Sequence, residues 1–541
     1  MNKIATYLQG HLRGEVLTGQ RARAAYSHDG SILSVMPDAV IRPYNTNDVR
    51  KVARFAWQLV EKGHKIALTP RGGGTDITGA AIGSGIILDF SAHMGRILEV
   101  DTRQKLVRVQ PGISIKTFNE ALLLHGVALP PLLSADPDAT VGGAIANNFA
   151  GQSAAKYGVV ADWIEQLEVV LANGEVIQTG RLSKKELSKK KGLASMEGEL
   201  YRAVDGIIAD GAQIITDQLA DDSVLNNLGY NISAVKRPDG SFDLMPLFLG
   251  SQGTLGVITE IIVKVGLQGP QADMLVIACP TLQSVDDATE SLRGLNVLRL
   301  ELLDAAAMAF AGKHQGLSYT ELVGDETEKP MALLFATFDD ASDRARHKKS
   351  KKAEKALQQA GCMVQRTEDL DMQALWWGIY ERTVASLTEE EVEHRVPTPI
   401  IDDIVLPTEQ FERYKTSLAE FEKKHHVQMA VWGSAAAGMF HVRPLLDLRR
   451  LSDRQKIFRL IDDYLSLISQ LGGSFGAQGG EGRLLAPFLA RKYTPETLAL
   501  FDEIKQAFDP HTILNAGVKT ERDAKKLVPL LADDYSPYTA S

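Results

Sequence analysis

The stretch PRGGGT at residues 70–75 stands between a strand-like pattern, KIALT at 65–69, and a polar turn. Three consecutive glycines let a backbone approach a ligand closely and turn its amide groups inward, which makes a concavity suited to phosphate oxygens. Arg71 adds a cation. The run lacks the Lys-Ser/Thr ending of a P-loop, and no GxGxxG follows a strand and opens a helix. Alone, the loop fits either a phosphate-binding turn or a tight turn without a ligand.

Three further stretches strengthen the case for a bound ligand. SADPDATVGGAIANNFAGQSAAKYG at 134–158 is dense in small residues with interspersed Asn and Ser. Such a composition disfavours a core helix and suits a backbone wall for a large planar ligand with hydroxyl groups. GSQGTLGVITEI at 250–261 is a glycine turn that runs directly into a strand, and FDPHTILNAG stands at 508–517.

Length and composition exclude several classes of protein. The chain has 541 residues and a net charge of −9, with 44% hydrophobic and 23% charged residues, as expected of a globular protein of two or three domains. The acidic balance argues against a nucleic-acid partner. Two cysteines, Cys279 and Cys362, exclude a disulfide framework and a four-cysteine metal site. Since neither a signal peptide nor a transmembrane run is visible, we expect a cytoplasmic enzyme.

Hydrophobic patterns predict an α+β protein without regular βαβα alternation. Asn45, Thr46 or Asn47 can cap a helix that ends at Gly63. After about residue 270 the pattern changes to strands and longer amphipathic helices, such as 409–425. The predicted short strands of the first half are 39–44, 65–69, 85–90, 97–100 and 105–110. The expected divisions are an N-terminal domain 1–268, a second domain 269–484 and a C-terminal helical segment 485–541.

Two basic clusters stand at 184–191 and 344–352. We interpret them as solvated helix faces in an acidic protein. A surface for an anionic membrane or a partner protein stays open as the alternative.

The order and amino-acid sequences of the four glycine-containing segments resemble those of the FAD-linked oxidase family of the vanillyl-alcohol-oxidase superfamily. That family includes D-lactate dehydrogenases, glycolate oxidase D subunits and D-2-hydroxyglutarate dehydrogenases. The resemblance runs from MPDAVIRP at 36–43 to LNAG at 514–517. It implies a two-domain flavoprotein with a PCMH-type FAD-binding domain and an α+β cap domain built on an antiparallel sheet. The C-terminal segment is expected to return to the flavin.

The sequence looks closest to the flavin half of long bacterial enzymes that carry an iron–sulfur half downstream. No cysteine cluster follows here, so we expect that half to be missing from this sequence. The electron acceptor is therefore unknown, and a separate iron–sulfur protein is one candidate.

By this resemblance, residues 70–75 and 134–158 wrap the pyrophosphate and ribityl chain of FAD. Ile258, with Val257, is expected near the adenine or ribose, and Asn515 near the isoalloxazine. The cofactor-binding residues implied are Pro70, Arg71, Gly72, Gly73, Gly74, Thr75, Ser134, Thr140, Gly142, Gly143, Asn147, Gly151, Tyr157, Ile258 and Asn515.

Three positions depart from the family pattern around the flavin. Thr75 occupies the place of the histidine that attaches flavin covalently in some relatives, so we expect non-covalent FAD. Gln252 replaces the glutamate of a GSEGTLG pattern. Asp76 stands where glycine is common, and an anion beside a pyrophosphate is unfavourable unless it faces away.

The resemblance weakens at the catalytic end. In the family, two histidines of a GHxxxGxxH segment and a glutamate of a GEHG segment bind a divalent metal. Here His441 retains the second histidine, but Ser434 replaces the first, and Gln478 and Gly479 replace the Glu-His pair. One imidazole with a neutral amide and a hydroxyl is a poor divalent site, so we expect no tightly bound catalytic metal.

Three interpretations of these replacements compete. His441 could act as the base of a metal-free flavoenzyme, the original activity could be lost, or Glu481 or His394 could supply the missing chemistry. A lone histidine is as often structural as catalytic. Arg382, after the tryptophans of the segment 376–384, resembles the family's clamp for a substrate carboxylate, with an exposed helix arginine as the alternative.

The predicted function is oxidation of a hydroxy acid by hydride transfer to flavin N5, as in D-2-hydroxy-acid dehydrogenases. The alternative is a non-catalytic FAD-binding protein or partner subunit that has lost the dehydrogenase activity. Asp402 and Asp403 are adjacent on a predicted strand. Their side chains therefore face opposite sides, and we do not expect a paired acid/base site there.

Overall fold

The strands before residue 268 form two main sheets in the computed structural model, which describes residues 2–132, 136–220, 225–267, 272–323, 329–533 and 535–536. In the first sheet the strand order is Glu15–Leu17, Ala39–Arg42, Ile86–Asp89 and Leu68–Arg71, and the last three run parallel. The second sheet is antiparallel, in the order Ile97–Asp101, Leu106–Val109, Val257–Lys264, Ile164–Val170 and Val176–Gln178. Val127–Ala128 pairs with Gly266–Leu267.

The strand that leads into the glycine loop lies later in the chain than the sequence predicts. It spans Leu68–Arg71 instead of 65–69 and includes Pro70. The strand is at the edge of its sheet, where a proline is tolerated. Ile86–Asp89 is its neighbouring strand on one side, and on the other side Leu68, two residues before Pro70, bridges to Leu514. Strand geometry therefore extends to the first glycine of the loop.

The first long helix confirms the cap that the sequence predicts. It spans Thr46–Glu61, and the Asn45 side chain accepts a hydrogen bond from the backbone N–H of Asp48. Apolar side chains at helical spacing pack into the core under the first sheet: Val49, Val52, Ala53 and Ala56.

The other helices of this half lie between or beside the sheets. The stretch that we expected to be a poor core helix forms only two short helices, Val141–Ala146 and Ala154–Tyr157. The remaining α-helices are Asn2–His11, Gln20–Ala25, Ile115–Leu124, Lys184–Lys191, Met196–Asp210, Ala212–Gln218 and Met245–Phe248. Short 3-10 helices span Pro130–Leu132 and Val160–Trp163.

An antiparallel sheet of eight strands dominates the second half of the chain. Its order is Met363–Thr367, Asp273–Cys279, Ala332–Phe338, Arg299–Asp304, Trp432–Ser434, Met439–His441, Asp403–Val405 and Ser474–Phe475. On one face Leu303, Phe335 and Trp432 pack with Trp376 of the helix Leu370–Glu389. Because side chains alternate along a strand, Arg299 shares this face with Leu303.

The remaining helices surround that sheet. They are Leu282–Arg293, Ala305–Gln315, Thr320–Val323, Asp343–Gln359, Phe411–His425, Leu451–Gln470 and Pro495–Phe508, with 3-10 helices at Ala435–Ala437, Ala486–Arg491 and Ala524–Leu530. Val396–Pro397 pairs with Leu445–Leu446. Both basic clusters lie on helices, Lys184–Lys191 and Asp343–Gln359. Within the described ranges, no helix has the length and apolar character needed to cross a bilayer.

The C-terminal segment packs against the strand that precedes the glycine loop. Leu514 forms a parallel bridge with Leu68. The buried ammonium group of Lys505 donates to the carboxylate of Asp509 at 2.6 Å, to the carbonyl of Leu514 at 2.9 Å and to that of Thr254 at 2.7 Å. The expected first domain boundary, between residues 268 and 269, falls within residues 268–271, which lie outside the described residues. The three-part division stays a prediction.

Candidate active site

A cavity of about 770 Å³ is bounded by the glycine loop, the antiparallel sheet and the helix Leu370–Glu389. Its lining includes residues 70–78, Thr140, Tyr380 and His441. Pockets for cofactors and small molecules typically have volumes of about 300–1,000 Å³. One cavity of suitable size thus joins the glycine segments to residues of the catalytic end.

The glycine loop fits against the second glycine segment only because two residues lack side chains. A Cβ atom on Gly72 would lie 2.0 Å from Oγ1 of Thr140, and one on Gly73 would lie 2.2 Å from the carbonyl oxygen of Asp138. Gly74 has a φ of +78°, which side chains rarely tolerate. The three glycines therefore bring two backbone walls of the cavity together, and this cradle fits a ligand held by main-chain amides.

Arg71 stabilises the glycine loop by hydrogen bonds to the protein interior. Its Nη1 donates to the carbonyl oxygens of His28 at 2.7 Å and Ala81 at 3.2 Å, and its guanidinium lies 5.3 Å from the centre of the Tyr26 ring. Burial lowers the pKa of Arg71. The arginine lines the cavity, but two of its hydrogen bonds hold the loop in place.

The carboxylate of Asp76 accepts hydrogen bonds from residues of its own turn. Oδ1 accepts hydrogen bonds from the backbone N–H groups of Thr78 at 2.8 Å and Ala80 at 2.9 Å, and from the Thr78 hydroxyl at 2.8 Å. Oδ2 accepts a hydrogen bond from Asn147 at 3.3 Å. These donors offset the negative charge, which removes the objection to an acidic residue next to a pyrophosphate.

Gln252 links the separate glycine segments. Its Nε2 donates to Oδ1 of Asn147 at 2.9 Å, and its Oε1 accepts from the backbone N–H of Gly482 at 2.9 Å. The residue has a φ of +51° and is buried. The amide that replaces the family's glutamate thus both donates and accepts, which an ionised carboxylate cannot do.

Most of the expected cofactor residues line this cavity. The lining set comprises Pro70, Arg71, Gly72, Gly73, Gly74, Thr75, Thr140, Gly142, Gly143, Asn147 and Ile258. Ser134 lies outside the described residues. Gly151 and Tyr157 are absent from the described lining. The Tyr157 hydroxyl instead donates to Asp339 at 2.7 Å, so this side chain fastens the segment to the cap domain.

Asn515 does not line the cavity, contrary to its expected approach to the isoalloxazine. Its Nδ2 donates to the carbonyl oxygens of Ala80 at 2.8 Å and Gln252 at 2.7 Å, and its Oδ1 accepts from the Thr69 hydroxyl at 3.1 Å. The side chain is buried and its amide is occupied by these contacts. It therefore ties the C-terminal segment to two loops of the cavity wall.

His441 lies in the cavity wall and is held by a carboxylate. Its Nδ1 is 3.2 Å from Oδ1 of Asp402, whose Oδ2 accepts from Nε of Arg443 at 2.8 Å. Burial alone would lower the pKa of His441, but the hydrogen bond and charge of Asp402, with the charge of Asp403, raise it above 6.5. Burial opposes and Arg443 favours ionisation of Asp402, whose pKa falls to about 2.

Asp403 contacts different groups from its neighbour. Its Oδ2 accepts from the backbone N–H groups of Gln478 at 2.7 Å and Gly479 at 2.9 Å. The two adjacent aspartates thus have separate hydrogen-bond partners, although the charges of both act on His441. Both aspartates line the cavity, which differs from the expectation that their side chains face opposite sides.

Glu301 is a cavity residue that the sequence analysis missed. It lies on the strand Arg299–Asp304 directly opposite Ser434, and its Oε2 accepts from the Tyr380 hydroxyl at 2.6 Å. Oε1 of Glu301 and Oγ of Ser434 are buried without a geometrically acceptable partner. Burial raises the pKa of Glu301 to about 7. The available signal was a single glutamate in the apolar run LRLELLD at 298–304.

The cavity residues do not fit the divalent metal that the family resemblance implies. Ser434 offers one hydroxyl, and Gln478 directs Nε2 toward the carbonyl of Ala150 at 3.4 Å. In the described ranges, the one group of three potential ligands within mutual reach is Asp273, His347 and Glu368. That Asp273 already accepts hydrogen bonds from other side chains, so we derive no catalytic step through a metal.

Arg382 is exposed and absent from the cavity's described lining. Its Nε donates to the carbonyl of Gly378 in the preceding turn of the helix at 3.1 Å. Tyr380 and Val384 of the same helix do line the cavity. The assignment of Arg382 as carboxylate clamp is therefore corrected, because the helical phase directs its side chain to solvent.

Glu481 and His394, which were considered as sources of the missing catalytic chemistry, lie elsewhere. Glu481 is buried and pairs with Lys519 at 2.6 Å, while its second oxygen accepts from the backbone N–H of Gly229 at 3.1 Å. His394 has 70% of its side chain exposed. Neither residue belongs to the described lining of the main cavity.

The fold and site define a two-domain flavoprotein with an FAD-binding domain and a cap domain. The family model described as FAD binding domain matches residues 37–180. The model described as FAD linked oxidases, C-terminal domain, matches residues 270–518. The chain belongs to the FAD-linked oxidase family, and its cofactor is FAD.

Curated relatives span most of the chain at low identity. A D-2-hydroxyglutarate dehydrogenase of Pantoea ananatis is 28% identical over 96% of this chain and 52% of its own length. Glycolate oxidase subunit GlcD of Bacillus subtilis is 26% identical over 94% of each chain. A D-lactate dehydrogenase of Archaeoglobus fulgidus is 26% identical over 91% of this chain and 95% of its own. The chain spans about half the length of the D-2-hydroxyglutarate dehydrogenases that it matches.

Solved structures share the complete two-domain fold. The 4-ethylphenol oxidase from Gulosibacter chungangensis superposes with a TM-score of 0.70 and 16% identity, covering 96% of this chain and 98% of that one. p-Cresol methylhydroxylase has a TM-score of 0.68 and 14% identity, covering 96% of each chain. The expected fold class is confirmed.

Proposed function

We propose that this chain is an FAD-dependent oxidoreductase that oxidises the CH–OH carbon of a hydroxy acid without the family's divalent metal. The observation that carries the proposal is the pair of His441 and Asp402 in the same cavity as the glycine loops. The names of the relatives, which act on D-2-hydroxyglutarate, glycolate and D-lactate, support this substrate class.

Bound FAD supplies the hydride acceptor at flavin N5. His441 receives the hydroxyl proton of the substrate at Nε2, because Nδ1 is engaged with Asp402. Asp402 fixes the tautomer and orientation of the imidazole and stabilises the imidazolium that forms. Arg443 holds Asp402 ionised, so the carboxylate does not take up the proton itself.

Adjacent groups complete the polar part of the site. Trp432 stacks on His441 with ring centres 5.6 Å apart and limits rotation of the imidazole. Glu301 and Tyr380 provide a second hydrogen-bonded pair in the same cavity. A separate iron–sulfur protein is one candidate for the electron acceptor.

Anaerobic addition of hydroxy acids tests the proposed activity. We expect glycolate, D-lactate or D-2-hydroxyglutarate to bleach the flavin absorbance near about 450 nm in the FAD-loaded protein. Dithionite provides the reference spectrum of complete reduction. If dithionite bleaches the flavin but none of a broad panel of hydroxy acids does, the oxidoreductase proposal fails. The chain would then be assigned to the alternative, a non-catalytic FAD-binding protein or partner subunit.

A further inference from the structure

The cavity contains an arginine without a polar partner. Arg299 belongs to the strand Arg299–Asp304 and lines the cavity. Its Nε is buried without a hydrogen bond, and no hydrogen bond or ion pair joins its guanidinium to another described residue. Its guanidinium carbon lies 5.6 Å from the centre of the Trp377 ring, and the charges of Glu301, Glu381 and Asp339 act on it without a hydrogen bond.

A buried cation of this kind favours an anionic ligand. Burial lowers the pKa of Arg299, which reports the cost of keeping its charge away from water. An aromatic face offsets part of that cost, but it satisfies none of the N–H donors in the plane of the guanidinium. A carboxylate can accept two parallel hydrogen bonds from such a group.

The other arginines of the described lining are already engaged. Arg71 donates to the carbonyl oxygens of His28 and Ala81 in the glycine loop region. Arg443 pairs with Asp402 through Nη2 at 2.7 Å as well as through Nε. Of the described cationic side chains that line the cavity, Arg299 is therefore the one that is available to an anion.

Several carboxyl groups of the cap domain line the same cavity as Arg299. The lining residues of this kind from the cap domain are Glu301, Glu381, Glu389, Asp402 and Asp403. Among the described residues, Asp402 is the one of these five that forms a salt bridge with an arginine, and the charge of Arg299 itself acts on Glu301. A second carboxylate on a ligand would therefore lie among these acidic side chains while Arg299 is occupied by the first, which disfavours dicarboxylates.

We propose that Arg299 binds the substrate carboxylate and that the site consequently selects monocarboxylic hydroxy acids over dicarboxylic ones. The proposal rests on the proposed hydroxy-acid function and assigns its substrate class. Glu301 and Ser434, which lie directly opposite each other on neighbouring strands of the same sheet, leave unpartnered oxygen atoms for further polar groups of the substrate.

Equilibrium binding of 2-oxo acids to the oxidised, FAD-loaded protein tests this assignment without turnover. Pyruvate and 2-oxoglutarate form a matched pair of probes with one and two carboxylates, and each is titrated while the flavin spectrum and the heat of binding are recorded. We expect pyruvate to bind about tenfold or more tightly than 2-oxoglutarate. Arg299→Gln should weaken pyruvate binding by about 30-fold or more, because it removes a buried charge-assisted pair.

Arg382→Gln is the matched control, since it removes the exposed arginine of the neighbouring helix. The proposal is overturned if Arg382→Gln weakens pyruvate binding and Arg299→Gln does not, or if wild type binds both acids equally or neither. Should Arg299→Gln fail to retain FAD, Arg299→Lys decides, with pyruvate binding expected to weaken about tenfold through loss of the bidentate geometry. Unchanged binding in Arg299→Lys would then overturn the assignment.

The experiments distinguish failure of the carboxylate assignment from failure of the proposed oxidoreductase activity. If pyruvate binds through Arg299 but no hydroxy acid bleaches the flavin, the carboxylate site stands and the oxidoreductase function fails. If hydroxy acids bleach the flavin with the same concentration dependence in wild type and Arg299→Gln, the function stands and the carboxylate assignment fails.

Discussion

Replacing His441 with asparagine is expected to slow flavin reduction by the hydroxy acid about 10²–10⁴-fold while FAD binding is retained. The asparagine amide can still donate to Asp402, so the local hydrogen bond survives, but the nitrogen that accepts the substrate proton is lost. Anaerobic stopped-flow measurement of flavin reduction at saturating substrate determines the rate. His125→Asn, at an exposed histidine after the helix Ile115–Leu124, is the matched control.

The pH dependence separates a base from a packing residue. A neutral imidazole is needed to accept the proton, and the pKa of His441 is raised above 6.5. The wild-type rate should therefore increase with pH through this raised pKa and level off above it. His441→Asn should lose that rise. A variant that reduces its flavin at the wild-type rate, with an unchanged pH profile, would refute the role of His441.

Gly73→Ala is expected to weaken FAD binding by about tenfold to a hundredfold. The added Cβ would lie 2.2 Å from the carbonyl oxygen of Asp138, so the glycine loop must move away from the second backbone wall. The apoprotein can relax by this movement, whereas the FAD-bound form needs both walls in place. Fluorescence titration of the apoprotein with FAD measures the dissociation constant.

Gly206→Ala is the corresponding control, because a Cβ there meets no atom within 4 Å in the helix Met196–Asp210. Thermal unfolding of both apoproteins shows whether the loop substitution acts on folding instead. Wild-type FAD affinity in Gly73→Ala would mean that the close approach of the two walls is not required for the cofactor.

The glycine walls of the cavity were largely predictable from sequence. Gly72 and Gly73 act through the absence of side chains, and the requirement for close backbone approach is visible in the run of glycines itself. Gly142 follows the same logic, because a Cβ atom there would lie 2.6 Å from Cβ of Pro111. Asn515 was not predictable in this way, because only the three-dimensional contacts show that its amide is fully used by Ala80, Gln252 and Thr69.

The catalytic half depends on contacts between distant segments. Asp402 reaches His441 through strand pairing across 39 residues of sequence, and Glu301 meets Ser434 only after two strands align. Arg382 was a plausible clamp by type, but a helical position differs in exposure from its immediate neighbours. Arg299 carried no local signal, since its significance lies in the partners that it lacks.

The visible spectrum of the purified chain is the most direct test of the central claim, that the glycine segments hold FAD. We predict a yellow protein with an absorbance maximum near about 450 nm and one FAD per chain, released into solution when acid unfolds the protein. Release on unfolding would also verify the predicted non-covalent attachment. A folded, colourless chain that stays without flavin after incubation with excess FAD would contradict the account.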